Sequence, residues 1–336
     1  MSNENYAFAV ANIRSQEKKL IQKNQLERLI DAPNASAFFE SLNETAYAKH
    51  FTETKNPEDY SVILAKTMLE TKNLLTKICP YKENLNWLWL KYDFLNIKFA
   101  IKNYLTKNQL KLEDFNNLGE IKPEKIIKYF EKNEKKSLPV NIEKIIQKSI
   151  KKFEKEKNPS QIDEILDQEY FVCLSSEINK TNSRQIKNLI KAKIDLNNLK
   201  LLIRYKYLKK TINEFEKNIC KGGTISTKDL KNAFDSNFED IQKNAKFIDY
   251  DLILKAGIKY LIEEKSYLIF EKLSYEYFLE KLRFAKYEAF GVEPLIAFWL
   301  AKDNETNIIQ IIMIGKLNNI EPKIIHQQLH KLYTEK

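Results

Sequence analysis

The sequence of 336 residues is poor in the residues that turns and phosphate-binding loops require. It contains six glycines and eight prolines. All-β folds use many turn residues, and phosphate-binding α/β domains need glycine-rich loops, so this composition disfavours both classes. Periodic apolar segments separated by short polar turns cover the chain, and this pattern predicts an all-α fold.

Cysteine is also scarce. The three cysteines, Cys79, Cys173 and Cys220, lie far apart and form no Cys-x-x-Cys pair. This spacing disfavours a zinc knuckle or a redox dithiol, and a small odd number of cysteines fits a reducing compartment. No Ser-His-Asp or Cys-His context is recognisable, so we expect no catalytic residue, no cofactor and no metal site.

No apolar stretch approaches the length that spans a bilayer. A membrane-spanning helix needs about 18 apolar residues. The longest apolar segments, 294–301 and 308–314, are much shorter. The N-terminal MSNENYAFAV lacks the charged and apolar regions of a signal peptide. We therefore expect neither a membrane-spanning segment nor a secretory signal.

Arginine is rare although the chain is basic. The net charge is +10, yet the 56 basic residues include only Arg14, Arg28, Arg184, Arg204 and Arg283 as arginines. Base recognition and bidentate phosphate contacts favour arginine. Lysine is spread along the chain and often alternates with glutamate, which favours solvated helix faces. We expect no nucleic-acid partner.

Three similar segments are the main feature that the sequence does contain. They are KYDFLNIKFAIKNYL from Lys91 to Leu105, KIDLNNLKLLIRYKYL from Lys193 to Leu208, and KDNETNIIQIIMIGKL from Lys302 to Leu317. They begin 102 and then 109 residues apart. The β-branched residues of the third segment are typical of a strand, but its similarity to the other two predicts a helix.

Each segment carries polar residues at matching positions. A lysine is first, a small polar residue third and an asparagine sixth: Lys91, Asp93 and Asn96; Lys193, Asp195 and Asn198; Lys302, Asn304 and Asn307. Carboxylates on a helix could act as acid, base or metal ligand. Three occurrences in one chain favour a structural role, in which buried polar groups bond a neighbouring loop and set the packing register.

A second element follows each segment. The three copies are IKPEKIIKYF from Ile121, ISTKDLKNAF from Ile225 and IEPKIIHQQL from Ile320. Their third residues, proline or threonine, are suited to opening a helix. The paired elements predict three repeated helical domains, 1–118, 119–222 and 223–336. The final helix, from residue 320 to residue 333, is expected to pack back against the first domain.

Two other groups are candidate sites. His326 and His330 are four residues apart and could share a metal ion, but two surface histidines on a terminal helix are the favoured interpretation. The segment Lys221-Gly222-Gly223-Thr224 could form a phosphate-binding nest. It lacks the spacing of a P-loop and follows no strand, so a turn is favoured.

Several segments match a known pattern. The N-terminal YAFAVANIRSQEKKLI resembles a Tyr-Ala-x-Ala-Arg-Ile helix, with Asn12 where arginine is expected, and SLNETAYAKHF resembles Leu-x-x-Thr-x-Tyr. The ending resembles Phe-Gly-x-Glu-Pro-Leu, Lys-x-x-Glu and Gly-Lys-x-Asn, through Phe290, Gly291, Glu293, Pro294, Leu295, Lys302, Glu305, Gly315, Lys316 and Asn318. Nearly the whole chain thus resembles the C-subunit family of archaeal and bacterial V/A-type rotary ATPases, which is equivalent to the d-subunit of eukaryotic V-ATPases.

The resemblance implies a fold and a function. Members are funnel-shaped all-α proteins, in which three similar helical domains surround a central cavity. They are not enzymes by themselves. Each is a monomer within its complex, peripheral on the cytoplasmic face of the membrane, where it joins the central shaft subunits to the membrane rotor ring. The implied task is to couple ATP turnover to H⁺ or Na⁺ transport.

Two expectations stay open at this point. The excess lysine would favour a location near lipid headgroups if it faces the membrane. The alternative function is that of an α-helical repeat scaffold in another protein assembly, which would bind its partner through a concave face.

Overall fold

Helices account for the regular secondary structure of the chain. The computed structural model describes residues 3–51 and 56–334, which contain sixteen α-helices and no strand. The α-helices are α1 (Ala7–Glu17), α2 (Lys23–Ile30), α3 (Ala35–Ser41), α4 (Tyr60–Ile78), α5 (Asn86–Leu105), α6 (Pro123–Glu131), α7 (Val140–Glu156), α8 (Ser160–Glu177), α9 (Arg184–Tyr207), α10 (Ile212–Asn218), α11 (Thr227–Asp235), α12 (Phe238–Lys243), α13 (Asp251–Glu264), α14 (Leu268–Lys281), α15 (Glu293–Leu317) and α16 (Pro322–Gln328). The predicted all-α class is confirmed.

The chain divides into two compact units. One unit combines the two ends of the chain, Met1–Lys82 and Leu252–Lys336, and the other is the continuous segment Glu83–Asp251. The funnel and the three repeated domains stay predictions. No helix within the described ranges is both long enough and apolar enough to cross a bilayer.

Helix α15 is the centre of the unit formed by the chain ends. It contacts α1, α3, α4, α14 and α16. The helix includes residues 307–314, so the prediction of a helix for this β-branched stretch is confirmed. Its apolar residues share a core with α2, α3 and α16, which includes Ile308, Ile309, Ile312, Met313, Leu26, Leu29, Phe38, Phe39 and Ile325. The last helix, α16, also contacts α2 directly.

The apolar residues of the N-terminal region predict one amphipathic helix over residues 5–30, through Tyr6, Val10, Ile13, Leu20, Leu26 and Leu29. The structure has two helices instead. Helix α1 ends at Glu17, and α2 begins at Lys23. Between them Leu20 and Ile21 are buried. The backbone N–H of Ile21 donates to the carboxylate of Glu305 on α15, instead of to a carbonyl of its own helix. A contact with a distant part of the chain therefore accompanies the helix break.

The continuous unit is built around α5, α8 and α9. Helix α5 packs on α6 and α8, and α8 packs on α7 and α9. Helix α9 in turn contacts α10 and α11. One side of α7 is buried in this core, through Ile142, Ile145, Ile146 and Ser149. The opposite side of α7 faces solvent.

Candidate functional site

Asp195 lies in the middle of α9 and bonds the loop that precedes α11. The carboxylate accepts the backbone N–H of Thr224, at 2.9 and 3.0 Å from its two oxygens, and the backbone N–H of Ile225 at 3.0 Å. It also accepts the Thr224 hydroxyl at 2.5 Å and the Tyr250 hydroxyl at 3.1 Å. Asp195 is completely buried. These bonds hold the loop before α11 and the segment that ends at Tyr250 against α9.

Asn198 lies one turn further along α9 and holds the start of the same loop. Its Oδ1 accepts the backbone N–H of Cys220 at 2.9 Å, and its Nδ2 donates to the carbonyl of Cys220 at 2.8 Å. Both residues are buried. An amide that pairs with both polar groups of one backbone residue fixes the distance and the orientation of that residue. Asn198 thus sets the register of the loop on the helix.

The chain bends at the glycine pair of this loop. Gly222 has a φ of 105°, a backbone conformation that favours glycine. At Gly223 a Cβ would lie 2.1 Å from Oδ1 of Asp195. The N–H groups of Thr224 and Ile225, which follow the pair, already bond Asp195. The N–H groups that a phosphate nest would direct at an anion are therefore paired within the protein, which agrees with the favoured interpretation.

Asp93 and Asn96 on α5 make the corresponding contacts. Oδ1 of Asp93 accepts the backbone N–H of Ile121 at 2.8 Å. Asn96 accepts the backbone N–H of Asn116 at 2.9 Å and donates to its carbonyl at 2.8 Å. A Cβ at Gly119 would lie 2.3 Å from Oδ1 of Asp93. The first two segments therefore form one arrangement, an Asp–Asn clamp on the loop before the following helix.

Of the two glycines in these clamps, Gly119 was not among the predicted positions, and Gly223 was considered only as part of a turn or a phosphate nest. Gly119 and Gly223 each stand two residues before the isoleucine that begins the second element, Ile121 or Ile225. This matching position is visible in the sequence and could have identified both glycines as part of the repeated arrangement. In both copies the absence of a Cβ allows the loop backbone to approach the carboxylate.

Replacing Gly223 by alanine is expected to destabilise the protein by about 2 kcal/mol, since the new methyl group overlaps a carboxylate that several bonds hold in place. Urea unfolding of the purified variant measures this change. Gly119→Ala is the parallel substitution, and we expect a similar loss because its Cβ would lie 2.3 Å from Oδ1 of Asp93. Unchanged stability of Gly223→Ala would contradict the close approach.

The third segment uses its polar positions differently. Nδ2 of Asn304 donates to the carbonyl of Lys331 at 2.8 Å, and its Oδ1 lies 3.1 Å from Nδ1 of His330. Asn304 is completely buried, whereas Asn307 is half-buried. The third clamp therefore bonds the chain segment after α16 instead of the loop before it.

The lysines at the first position of each segment also differ. Nζ of Lys91 lies 4.7 Å from the ring centroid of Tyr92, and Nζ of Lys193 lies 5.7 Å from that of Tyr170. Both lysines are partly exposed. Lys302 alone among the three is buried. A cation–π contact at a partly exposed site contributes little, so these two cation–π contacts are minor.

Lys302 and Glu305 form a buried ion pair one turn apart on α15. Glu305 also accepts the Tyr47 hydroxyl at 2.9 Å and the backbone N–H of Ile21 at 2.5 Å. Burial, and then the charge of Glu305, raise the pKa of Tyr47 well above its ordinary value. The pair therefore joins α15 to two separate parts of the N-terminal region.

Lys316 binds the end of α2. Its Nζ donates to the carbonyl of Ile30 at 2.6 Å and to the carbonyl of Ala32. A cation at these carbonyls complements the negative end of the helix dipole. Burial lowers the pKa of Lys316. Lys316 thus holds the C-terminal end of α2, which lies nearly 300 residues earlier in the sequence.

The two histidines have different surroundings. His326 on α16 is exposed, as expected. His330 lies beyond the end of α16, stacks on Tyr275 with a centroid distance of 5.0 Å, and contacts Asn304. Burial lowers the pKa of His330. The final helix ends at Gln328 instead of continuing to residue 333, and His330 beyond it is half-buried, so the expectation of a surface position on the terminal helix is wrong for His330.

Within residues 3–51 and 56–334 no group of three or more His, Cys, Asp or Glu side chains could hold a metal ion. The polar residues that the repeats single out bond mainly backbone groups of the protein itself. Such contacts fix the relative positions of helices and loops. The geometry of this candidate site is that of a set of structural clamps.

Comparison with known proteins shows the family to which the chain belongs. A sequence profile of the family described as ATP synthase (C/AC39) subunit matches residues 9–328. The chain belongs to the C/AC39 family of ATP synthase subunits. The C-subunit of the A-type ATP synthase of Methanocaldococcus jannaschii is 24% identical over 354 residues, which cover 97% of this chain and 86% of that protein.

Other members of the C/AC39 family are similar over the same extent. The C-subunit of the A-type ATP synthase of Methanococcoides burtonii is 25% identical over 98% of this chain and 95% of its own length. The C-subunit of the V-type sodium ATPase of Enterococcus hirae is 23% identical over 96% of this chain and 97% of its own length. The resemblance that the sequence motifs indicated is confirmed at the level of the family.

Proposed function

We propose that the chain is a non-catalytic subunit of the central stalk in a V/A-type rotary ATP synthase or ATPase. In this proposal it joins the central shaft subunits to the membrane rotor ring and so couples ATP turnover to the transport of H⁺ or Na⁺. The observation that carries the proposal is the C/AC39 profile match over residues 9–328. The names of relatives, which include a sodium ATPase and ATP synthases, support it.

The mechanical requirements of this task fit the structural clamps. A subunit that transmits torque must resist deformation, and close-packed helices supply that resistance. Asp195 and Asn198 tie a loop to α9, and Glu305 ties two N-terminal segments to α15. Buried polar networks whose members are paired specify one arrangement of the core, which supports rigidity. None of these contacts requires the protein to carry out a reaction.

The proposal includes a location and a stoichiometry. The protein would be peripheral on the cytoplasmic face of the membrane and would enter the complex as a monomer. Contact with the ring would place part of its surface close to lipid headgroups. The proposal leaves the choice between H⁺ and Na⁺, and between ATP synthesis and hydrolysis, to the other subunits of the complex.

Co-elution tests this proposal. The purified protein is mixed with the detergent-solubilised rotor ring, with the shaft subunits, or with both, all from the same organism, and each mixture is separated by size exclusion. We expect the protein to elute with each partner and to bridge them when both are present. A folded, helical protein that binds neither would contradict the rotor assignment and favour a scaffold in another assembly.

A further inference from the structure

The excess positive charge of the chain is concentrated in one short segment. Residues 121–157 contain twelve lysines, six glutamates and no arginine, aspartate or histidine, so their net charge is +6 of the chain's total of +10. The segment includes α6 and α7. In the rest of the chain the positive and negative charges nearly balance. A charge excess of this size in about a tenth of the chain marks a surface to examine.

On α7 the lysines form a stripe. Lys144, Lys148, Lys151 and Lys155 follow one another at intervals of four, three and four residues, and all four are exposed. At 100° per residue these positions fall within an arc of about 60°, and the stripe is about 16 Å long. The face opposite them is the one that α7 buries in the core through Ile142, Ile145 and Ile146.

The acidic residues of α7 do not interrupt this lysine stripe. Glu143, Glu154 and Glu156 point about 80° or more away from the direction of Lys144. Glu156 pairs with Lys152, and Glu169 of α8 pairs with Lys148 at 2.6 Å. The stripe therefore presents a net positive charge to solvent from Lys144 to Lys155.

We infer that the lysine stripe of α7 binds the anionic headgroups of a lipid bilayer. Flexible lysines that act as point charges suit a diffuse layer of phosphates, whereas nucleic-acid contacts favour arginine, which this segment lacks. Val140, exposed at the start of the same stripe, adds an apolar contact for the headgroup region. The inference rests on the proposed function only in choosing a membrane over a nucleic acid as the polyanion.

The expected strength follows from the number of lysines. One lysine close to an anionic leaflet strengthens binding about fivefold, so losing three is expected to weaken it about 100-fold. The test variant is K144Q/K151Q/K155Q, which leaves the Lys148–Glu169 pair intact. Glutamine has nearly the helix propensity of lysine, so α7 should remain folded. Circular dichroism and the urea midpoint confirm folding.

The control variant is K18Q/K259Q/K323Q, which removes the same charge from exposed positions of the other unit. Full-length proteins are sedimented with vesicles of pure phosphatidylcholine, or with vesicles containing about a third phosphatidylglycerol. We expect binding to the anionic vesicles only, lost at about 0.5 M salt, lost in the stripe variant and kept in the control. Inorganic phosphate at matched ionic strength should not compete.

Three results would overturn the inference: equal binding by the stripe and control variants, equal binding to both kinds of vesicle, or competition by inorganic phosphate beyond its ionic strength. Tighter stripe-dependent binding to duplex DNA than to anionic vesicles would assign the surface to nucleic acid instead. Co-elution with the detergent-solubilised ring and shaft needs no bilayer. Failure of the lipid inference is therefore distinguishable from failure of the proposed function.

Discussion

Replacing Glu305 by alanine is expected to lower the free energy of unfolding by about 3–5 kcal/mol. The substitution leaves Lys302 buried without its counter-charge. It also removes the acceptor for the Tyr47 hydroxyl and for the backbone N–H of Ile21. Each loss leaves a polar group in a place where water does not easily replace the missing bond.

Urea unfolding measures the loss, with Glu280→Ala as the matched control in the same unit. Glu280 pairs with Arg283 at the surface and its side chain is 66% exposed, so its removal should cost at most about 1 kcal/mol. Adding Lys302→Met to Glu305→Ala should restore part of the stability, since no unpaired charge then remains buried. A double variant as unstable as the sum of both single variants would contradict the ion-pair interpretation.

Replacing Asp195 by alanine is expected to lower the free energy of unfolding by about 3 kcal/mol. The Tyr250 hydroxyl is buried and loses an acceptor, as do the backbone N–H groups of Thr224 and Ile225. The loop before α11 would then be held to α9 chiefly by Asn198. We expect faster hydrogen exchange at residues 220–225 than in the unmodified protein.

Asp235→Ala is the control for this substitution, because Asp235 is an exposed aspartate at the end of α11 in the same unit. Its removal should change stability by no more than about 0.5 kcal/mol. Asp195→Asn should fall between the two, since an amide keeps one acceptor but loses the charge. If Asp195→Ala and Asp235→Ala had equal effects, the clamp would not contribute to stability.

The Asp–Asn clamps and the contacts of Glu305 were predictable to different degrees. Asp195 and Asn198, like Asp93 and Asn96, stand out because the same polar residues recur on apolar helices, and a recurring buried polar residue predicts a bond to a nearby loop. Their loop partners lie 20 to 30 residues away along the chain. Glu305 belongs to the third segment only, and the sequence points to it only through the resemblance to the family. Its partner Ile21 is 284 residues distant.

The sequence alone determined the all-α class, the helical state of residues 307–314 and the membership of the family. Helical periodicity, the scarcity of glycine and proline, and repeated motifs are local signals, so they need no knowledge of packing. The polar positions of α5 and α9 were also found in this way. The lysine excess of residues 121–157 is equally visible in the sequence, although its exposure on α7 is not.

Only the tertiary structure decided which distant groups meet. It placed the chain after α16 against Asn304, stacked the half-buried His330 on Tyr275, and set Lys316 at the end of α2. The N-terminal stretch that was predicted as one helix is also interrupted around Ile21, whose backbone N–H donates to Glu305. These outcomes depend on how whole helices pack, because a buried polar group bonds whatever partner the packing brings near it. No local pattern around residues 21, 305 or 330 contains that information.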